Sequence, residues 1–226
     1  MSDGGALRTL AATVAGAACY GFAAGLGHDL LYAARNTVKM PLLLLATATC
    51  CALAFRVVAL VGGLLLPLRA TSRLAFALFR ATAALLASLA PIVGFLALAM
   101  RATDDGRRGD YDAWLGANLL AVASAGSLAL WRQVRAIAAA GRLSPARART
   151  IAAAWLLLAL LVGGQGAFWM RPFFGYPATR GIAPPWFLGA APDLRGARNF
   201  FEAVAQALVR APLPADLRTR IEQLAR

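Results

Sequence analysis

The chain has 226 residues, 60% of them hydrophobic and only 15% charged, with a mean hydropathy of +0.65. A water-soluble domain of this length carries more charged surface, so that class is excluded. The net charge of +13 comes from 22 Arg and one Lys, placed between apolar runs rather than along one polar face. Anionic lipid headgroups therefore fit the basicity better than nucleic acid does.

All ten Asp and Glu lie outside the centres of the apolar runs. A helix of about 20 apolar residues crosses the hydrocarbon core of a bilayer. Five such spans are predicted, at residues 9–26, 41–59, 74–100, 113–130 and 150–170. The fold class expected is an all-α, polytopic transmembrane helical bundle (residues 1–172), a Pro/Gly-rich linker (173–196) and an amphipathic helical tail (197–226). Without carboxylates in the spans, most proton- and cation-coupled chemistry loses its groups.

The first span carries small residues at every fourth position, Thr13, Ala17, Gly21 and Gly25. Similar rows run through Ala117, Ala121, Ala125 and Ala129 in the fourth span and Ala159, Gly163 and Ala167 in the fifth. Small residues let helix backbones approach in lipid, where no hydrophobic force separates helix from solvent. They suit packing within the bundle or a homodimer face. Residues 15–19 resemble a lipoprotein cleavage site only faintly, and the sparse basic n-region around Arg8 disfavours a cleavable signal. Cys19, Cys50 and Cys51 read as small apolar packers.

Between the first two spans, His28, Tyr32, Arg35 and Lys39 share a face if residues 28–40 are helical, with Leu31, Ala34 and Val38 opposite. That reads as the polar face of an interfacial connector. One His cannot build a zinc site without further ligands; with Asp29 it could act in acid–base chemistry. After the second span, Gly62, Gly63 and Pro67 suggest a break, with residues 64–73 a short interfacial piece. Arg56 and Arg80, near span ends, are expected to snorkel toward headgroups; the sharper reading is an anion contact. Pro91 predicts a kink in the third span. Asn118, Gln165, Ser88 and Thr82 are expected to form interhelical hydrogen bonds.

Ser144 and Pro145 form an N-cap and first-turn pair for the fifth helix. The segment 132–149 holds five Arg and no acid, whereas 101–112 holds three Arg and four Asp. The positive-inside rule then places 132–149 and the N-terminus in the cytoplasm and the C-terminus outside, although Arg171 and Arg180 pull the other way. In the tail, residues 197–210 and 215–226 show helical apolar rows, suited to a bilayer surface or a partner.

The most distinctive run is Gln165-Gly-Ala-Phe-Trp-Met-Arg-Pro-Phe-Phe-Gly-Tyr-Pro177. Gln165, Trp169, Arg171, Pro172, Phe173 and Gly175 read as a structural motif and membrane anchor that fixes where the tail leaves the bilayer. With Asn199, Phe200, Phe201 and Glu202, a possible interaction element, and Val38-Lys-Met-Pro-Leu-Leu-Leu44, this run resembles a family of small bacterial multi-span inner-membrane proteins with a Gln…Arg-Pro-Phe-x-Gly element after the last span. The resemblance extends over residues 16–208 and departs from the family at 60–73. It implies no activity. The span count is similar to that of Yip1-type membrane proteins, an analogy of topology alone.

No GxxxxGK[ST], GxSxG, HExxH or CxxC pattern occurs, so phosphate-loop, hydrolase and metalloprotease chemistry lack their residues. The expectation is a non-enzymatic scaffold or accessory subunit of a membrane complex, with a protein partner or a second copy and no cofactor or metal. The alternative is a transporter or channel component for an anion or lipid.

Overall fold

In the computed structural model, described for residues 3–27, 29–103, 108–171, 173, 186–187 and 199–210, every element is a helix. The helices are α1 (Asp3–Gly25), α2 (Leu30–Val61), α3 (Leu68–Thr103), α4 (Arg108–Gly141), α5 (Pro145–Met170) and α6 (Phe200–Arg210). Five of them are long and apolar enough to cross a membrane, the architecture of a multi-pass helical bundle. Few residues separate each of these five from the next, so neighbours in sequence run antiparallel. One end of the bundle holds the α1–α2 turn and the C-terminus of α5; the other holds the α2–α3 and α4–α5 turns.

Helix α1 lies between α2 and α3, and its small residues explain why it fits. Thr13, Ala17, Gly21 and Gly25 are all buried. A Cβ on Gly21 would overlap the backbone carbonyl of Asn36, and one on Gly25 would lie 2.5 Å from the Ala33 Cα. On the α3 side, a Cβ on Gly16 would lie 2.9 Å from the Ala83 carbonyl oxygen. The row read as a packing face thus meets α2 at Gly21 and Gly25, and Gly16, outside that row, meets α3.

Two expected boundaries move. Helix α2 does not begin at Pro41; it starts at Leu30, capped by Asp29, whose side chain accepts from the Tyr32 N–H at 2.7 Å. At 32 residues it is about 48 Å long, well beyond the hydrocarbon core, so residues 30–40 belong to α2 and are not a separate connector. Pro41 is buried inside the helix, where it lacks only its own donor. Likewise residues 64–73 do not form a separate piece. The chain turns at Gly62 and at Gly63, which has a left-handed φ of 81°, and α3 starts at Leu68 directly after Pro67.

The larger part of the core sits toward the α2–α3 end. Phe55 stacks on Trp155 with centroids 4.7 Å apart and planes at 6°, and Phe79 follows at 6.5 Å. The Trp155 Nε1–H donates to the Phe55 carbonyl at 3.1 Å, tying α5 to α2. Leu64, fully buried, closes this end against Gly141. Ser144 and Pro145 start α5 as expected, the Ser144 hydroxyl accepting from the Arg147 N–H at 3.4 Å.

Intramembrane polar groups divide in two. The Tyr20 hydroxyl donates to Asn118 Oδ1 at 2.9 Å, linking α1 to α4, and Asn118 Nδ2 donates to the Trp114 carbonyl at 2.9 Å. Thr82 and Ser88 instead donate to carbonyls of their own helix, Leu78 and Leu85. A hydroxyl on a short stem reaches its own preceding turn more easily than a neighbouring helix, so the interhelical bonds expected of those two do not form.

The α1–α2 contact predicts a steep size limit. Gly21→Val should reduce the folded, monodisperse fraction in detergent and cost more than the roughly 1–3 kcal/mol of ordinary overpacking, because its neighbour is backbone. Gly116→Ala, inside α4 with open space around it, should keep or slightly raise thermal stability, since alanine is the better helix former.

Candidate functional site: the α2 start, the α5 exit and the docked tail helix

The first three turns of α2 have an inverted polarity. Tyr32, Asn36 and Lys39 are buried, with Asn36 and Lys39 each only 1% exposed, while Leu31, Ala34 and Val38 are exposed. The face read as the polar side of an interfacial connector is thus the inward face. In a bilayer the outer face meets lipid, so apolar residues turn out and polar ones turn in toward partners. His28 lies outside the described residues.

What receives this face is the segment leaving α5. Asn36 Nδ2 donates to the Phe173 carbonyl. The Lys39 ammonium lies 5.6 Å from the Phe173 ring centroid and 5.4 Å from that of Phe187. One turn earlier, the Arg35 guanidinium stands 5.3 Å from the Trp186 ring. Arg171 caps α5 and lays its guanidinium 3.9 Å from the Phe168 ring centroid. A ring face attracts a cation through its quadrupole, by about 0.5–2 kcal/mol depending on desolvation.

The two motifs singled out in the sequence meet at α6. Asn199 caps the helix, its Oδ1 accepting from the Glu202 N–H at 2.9 Å. Gln165 Oε1 accepts from the Phe200 N–H at 3.4 Å, so a side chain of α5 satisfies a donor in the first turn of α6. The Phe200 ring lies over Gly164, whose Cβ would approach it to 2.5 Å. Glu202 Oε1 accepts from Gln206 Nε2 at 3.2 Å. Phe201 and Trp169 are exposed.

Phe173 therefore packs on Lys39 and Asn36, a role beyond anchoring to the bilayer. Trp169 faces outward, the placement of an interfacial indole. Pro172, Gly175 and the 215–226 segment lie outside the described residues. Arg56 and Arg80 follow Phe55 and Phe79 in sequence, so their helices are in register at that level, but Arg80 is exposed while Arg56 is half-buried with its Nη1 enclosed and unbonded. Asn36 was not singled out from the sequence; a lone Asn beside Arg and Lys reads as part of a wet polar face.

Among the described residues, no group of three or more His, Cys, Asp or Glu is placed to hold a metal ion. A cleft of about 290 Å³ between α3 and α4 is lined almost wholly by apolar side chains, including Ile92, Leu96, Trp114 and Leu120. Fold and site thus describe a multi-pass membrane protein in which helix α6 is tied to the fifth span. No protein-family model, no curated protein and no solved structure matches the chain.

The docking geometry predicts which residues hold α6. Removing the Phe200 ring should cost about 2 kcal/mol, which raises the undocked population roughly thirtyfold. Phe200→Ala and Gly164→Val should both accelerate limited proteolysis of the tail. Phe201→Ala, on the outward face, should leave the cleavage rate unchanged.

Proposed function

We propose that this protein is a non-enzymatic membrane scaffold or accessory subunit of a membrane complex, residing in a bacterial inner membrane with its N-terminus in the cytoplasm. The observation carrying the reading is the docked α6. Gln165 and Gly164 hold this helix, capped by its own Asn199, against the bundle while Phe201 stays exposed. A helix fixed on one face and apolar on the other is a surface prepared for a second protein or for the bilayer boundary.

The bundle interior supports the same reading. The stacked Phe55, Trp155 and Phe79 fill the space between α2, α3 and α5 with apolar rings. Transport of an anion along Arg56 and Arg80 has weaker support, because Arg80 points out of the bundle. Orientation rests on Arg132, Arg135, Arg142, Arg147 and Arg149, all exposed around the α4–α5 turn, against a more enclosed set of cations at the other end.

Purification of the full chain in mild detergent, with quantitative identification of co-eluting proteins, tests the role. A stoichiometric partner lost on Phe201→Ala is the expected result; a lone monomer across several detergents would remove the scaffold reading. Topology is checked separately by labelling single cysteines at Ala140 and Ala205 in a cysteine-free background. Reagents confined to the periplasm should reach position 205 alone.

A further inference from the structure

We infer that Arg56 and Arg147 form a binding site for a phosphate group at the α2–α3 turn, the chemistry of an anionic phospholipid headgroup or of free phosphate. The site lies at the other end of the bundle from α6 and does not rest on the scaffold reading. Arg56 is the starting point. The chain from Met40 to Leu68 carries no other charge. A guanidinium does not lose its proton in a protein, so Arg56 cannot meet burial by becoming neutral. Its Nη1 is nonetheless enclosed with no hydrogen-bond partner, which leaves a charged donor unsatisfied in the lipid-free bundle. An ionisable side chain inside a membrane span is the usual mark of a functional site.

Depth identifies where an acceptor comes from. Ile151 opens the apolar run of α5, shortly after Arg147 and Arg149. A Cβ on Gly62 would lie 2.6 Å from the Ile151 Cγ1, so the α2–α3 turn stands at the level where α5 passes from basic to apolar residues. Headgroups meet a span at that level. Arg56 is six residues from Gly62, about 9 Å deeper along the helix and within the range over which arginine snorkels. Helices α2 to α5 hold carboxylates only at Asp110 and Asp112, at the far end of α4. The anion is therefore supplied from outside these helices.

Gly63 shapes the site. Seven residues separate it from Arg56, close to two turns, which puts both on one face of α2. The Arg147 Nη1 lies 3.6 Å from where a Gly63 Cβ would stand, and beyond the chain neighbours no other atom of the described residues comes within 4 Å there. The turn thus leaves an open notch above Arg56, with a second guanidinium at its wall and room for Arg56 to swing upward. Two forked donors around one notch match a phosphate, which takes guanidinium hydrogen bonds in pairs. Leu60, Val61 and Leu65 are exposed beside the notch, an apolar surface for the acyl chains of the same lipid.

The test uses the full chain in zwitterionic detergent, analysed by native mass spectrometry after incubation with phosphatidylglycerol or with phosphatidylcholine, whose own cation neutralises its phosphate. Wild type should retain phosphatidylglycerol and release phosphatidylcholine. Arg147→Gln changes an exposed side chain, so it should fold as wild type does and lower phosphatidylglycerol retention about fivefold. Arg56→Met/Arg147→Gln should lower it about tenfold or more, and Arg80→Gln, a cation outside the notch, should leave it unchanged. Thermal unfolding separates binding from folding. Without lipid, Arg56→Met should melt no lower than wild type, because it removes an unsatisfied charge, while its rise in Tm on adding phosphatidylglycerol should shrink. A parallel arm offers inorganic phosphate to the lipid-free protein: a rise in Tm that needs Arg56 and Arg147 would support the site and make soluble phosphate its source. Equal phosphatidylglycerol retention in wild type, Arg147→Gln and Arg56→Met/Arg147→Gln, with no response to inorganic phosphate, would overturn the proposal.

Discussion

Everything at the polar end of this bundle depends on how closely α1 approaches α2. At Gly21 and Gly25 the absence of a side chain lets the helix axes close until α1 touches the backbone of Asn36 and Ala33. In lipid this contact is held by packing and not by release of water from apolar surface, so there is little excess attraction to offset a misfit. Because α1 covers one side of the α2 start, Tyr32, Asn36 and Lys39 cannot turn to solvent there. Asn36 and Lys39 find partners in the chain leaving α5, through Phe173 and Phe187, and Arg35 beside them meets Trp186.

That chain of dependence separates what was legible in the sequence from what was not. Span number and helical class follow from apolar length, which is a local property. The Gly21/Gly25 row was readable for the same reason: small residues at helical spacing mean close approach whatever the neighbour is. The start of α2 was misplaced because Pro41 and the cations before it both signal a boundary to a reader of local pattern. In the structure the proline is tolerated, and the cations are covered. The periodicity of residues 31–39 was visible, but its sign was not. Which face of an amphipathic helix points inward depends on whether its outer side meets water or lipid, and no residue in the helix states that.

The Gln165 motif shows the complementary case. Its distinctiveness was evident, and so was that of Asn199, Phe200, Phe201 and Glu202. Their joining was not, since 34 to 37 residues separate them and no local rule links a span end to a distant helix cap. Gln165 resolves the matter with a single acceptor: a side chain at the membrane boundary meets the first-turn donor of α6, a group that would otherwise need water or a cap of its own.

These two anchorages sit at the same end of the bundle and use opposite physics. The α2–Phe173 junction holds cations against aromatic faces, an interaction that strengthens as water is excluded. The α5–α6 junction holds one ring over a glycine notch with a long hydrogen bond at 3.4 Å, an arrangement near the outer limit of useful geometry. The first therefore resists opening in a dry boundary layer, and the second yields at modest cost. Among the described residues after the fifth span, those of α6 hold the bundle contact that opens more easily, while Phe173 ties the exit of α5 to α2.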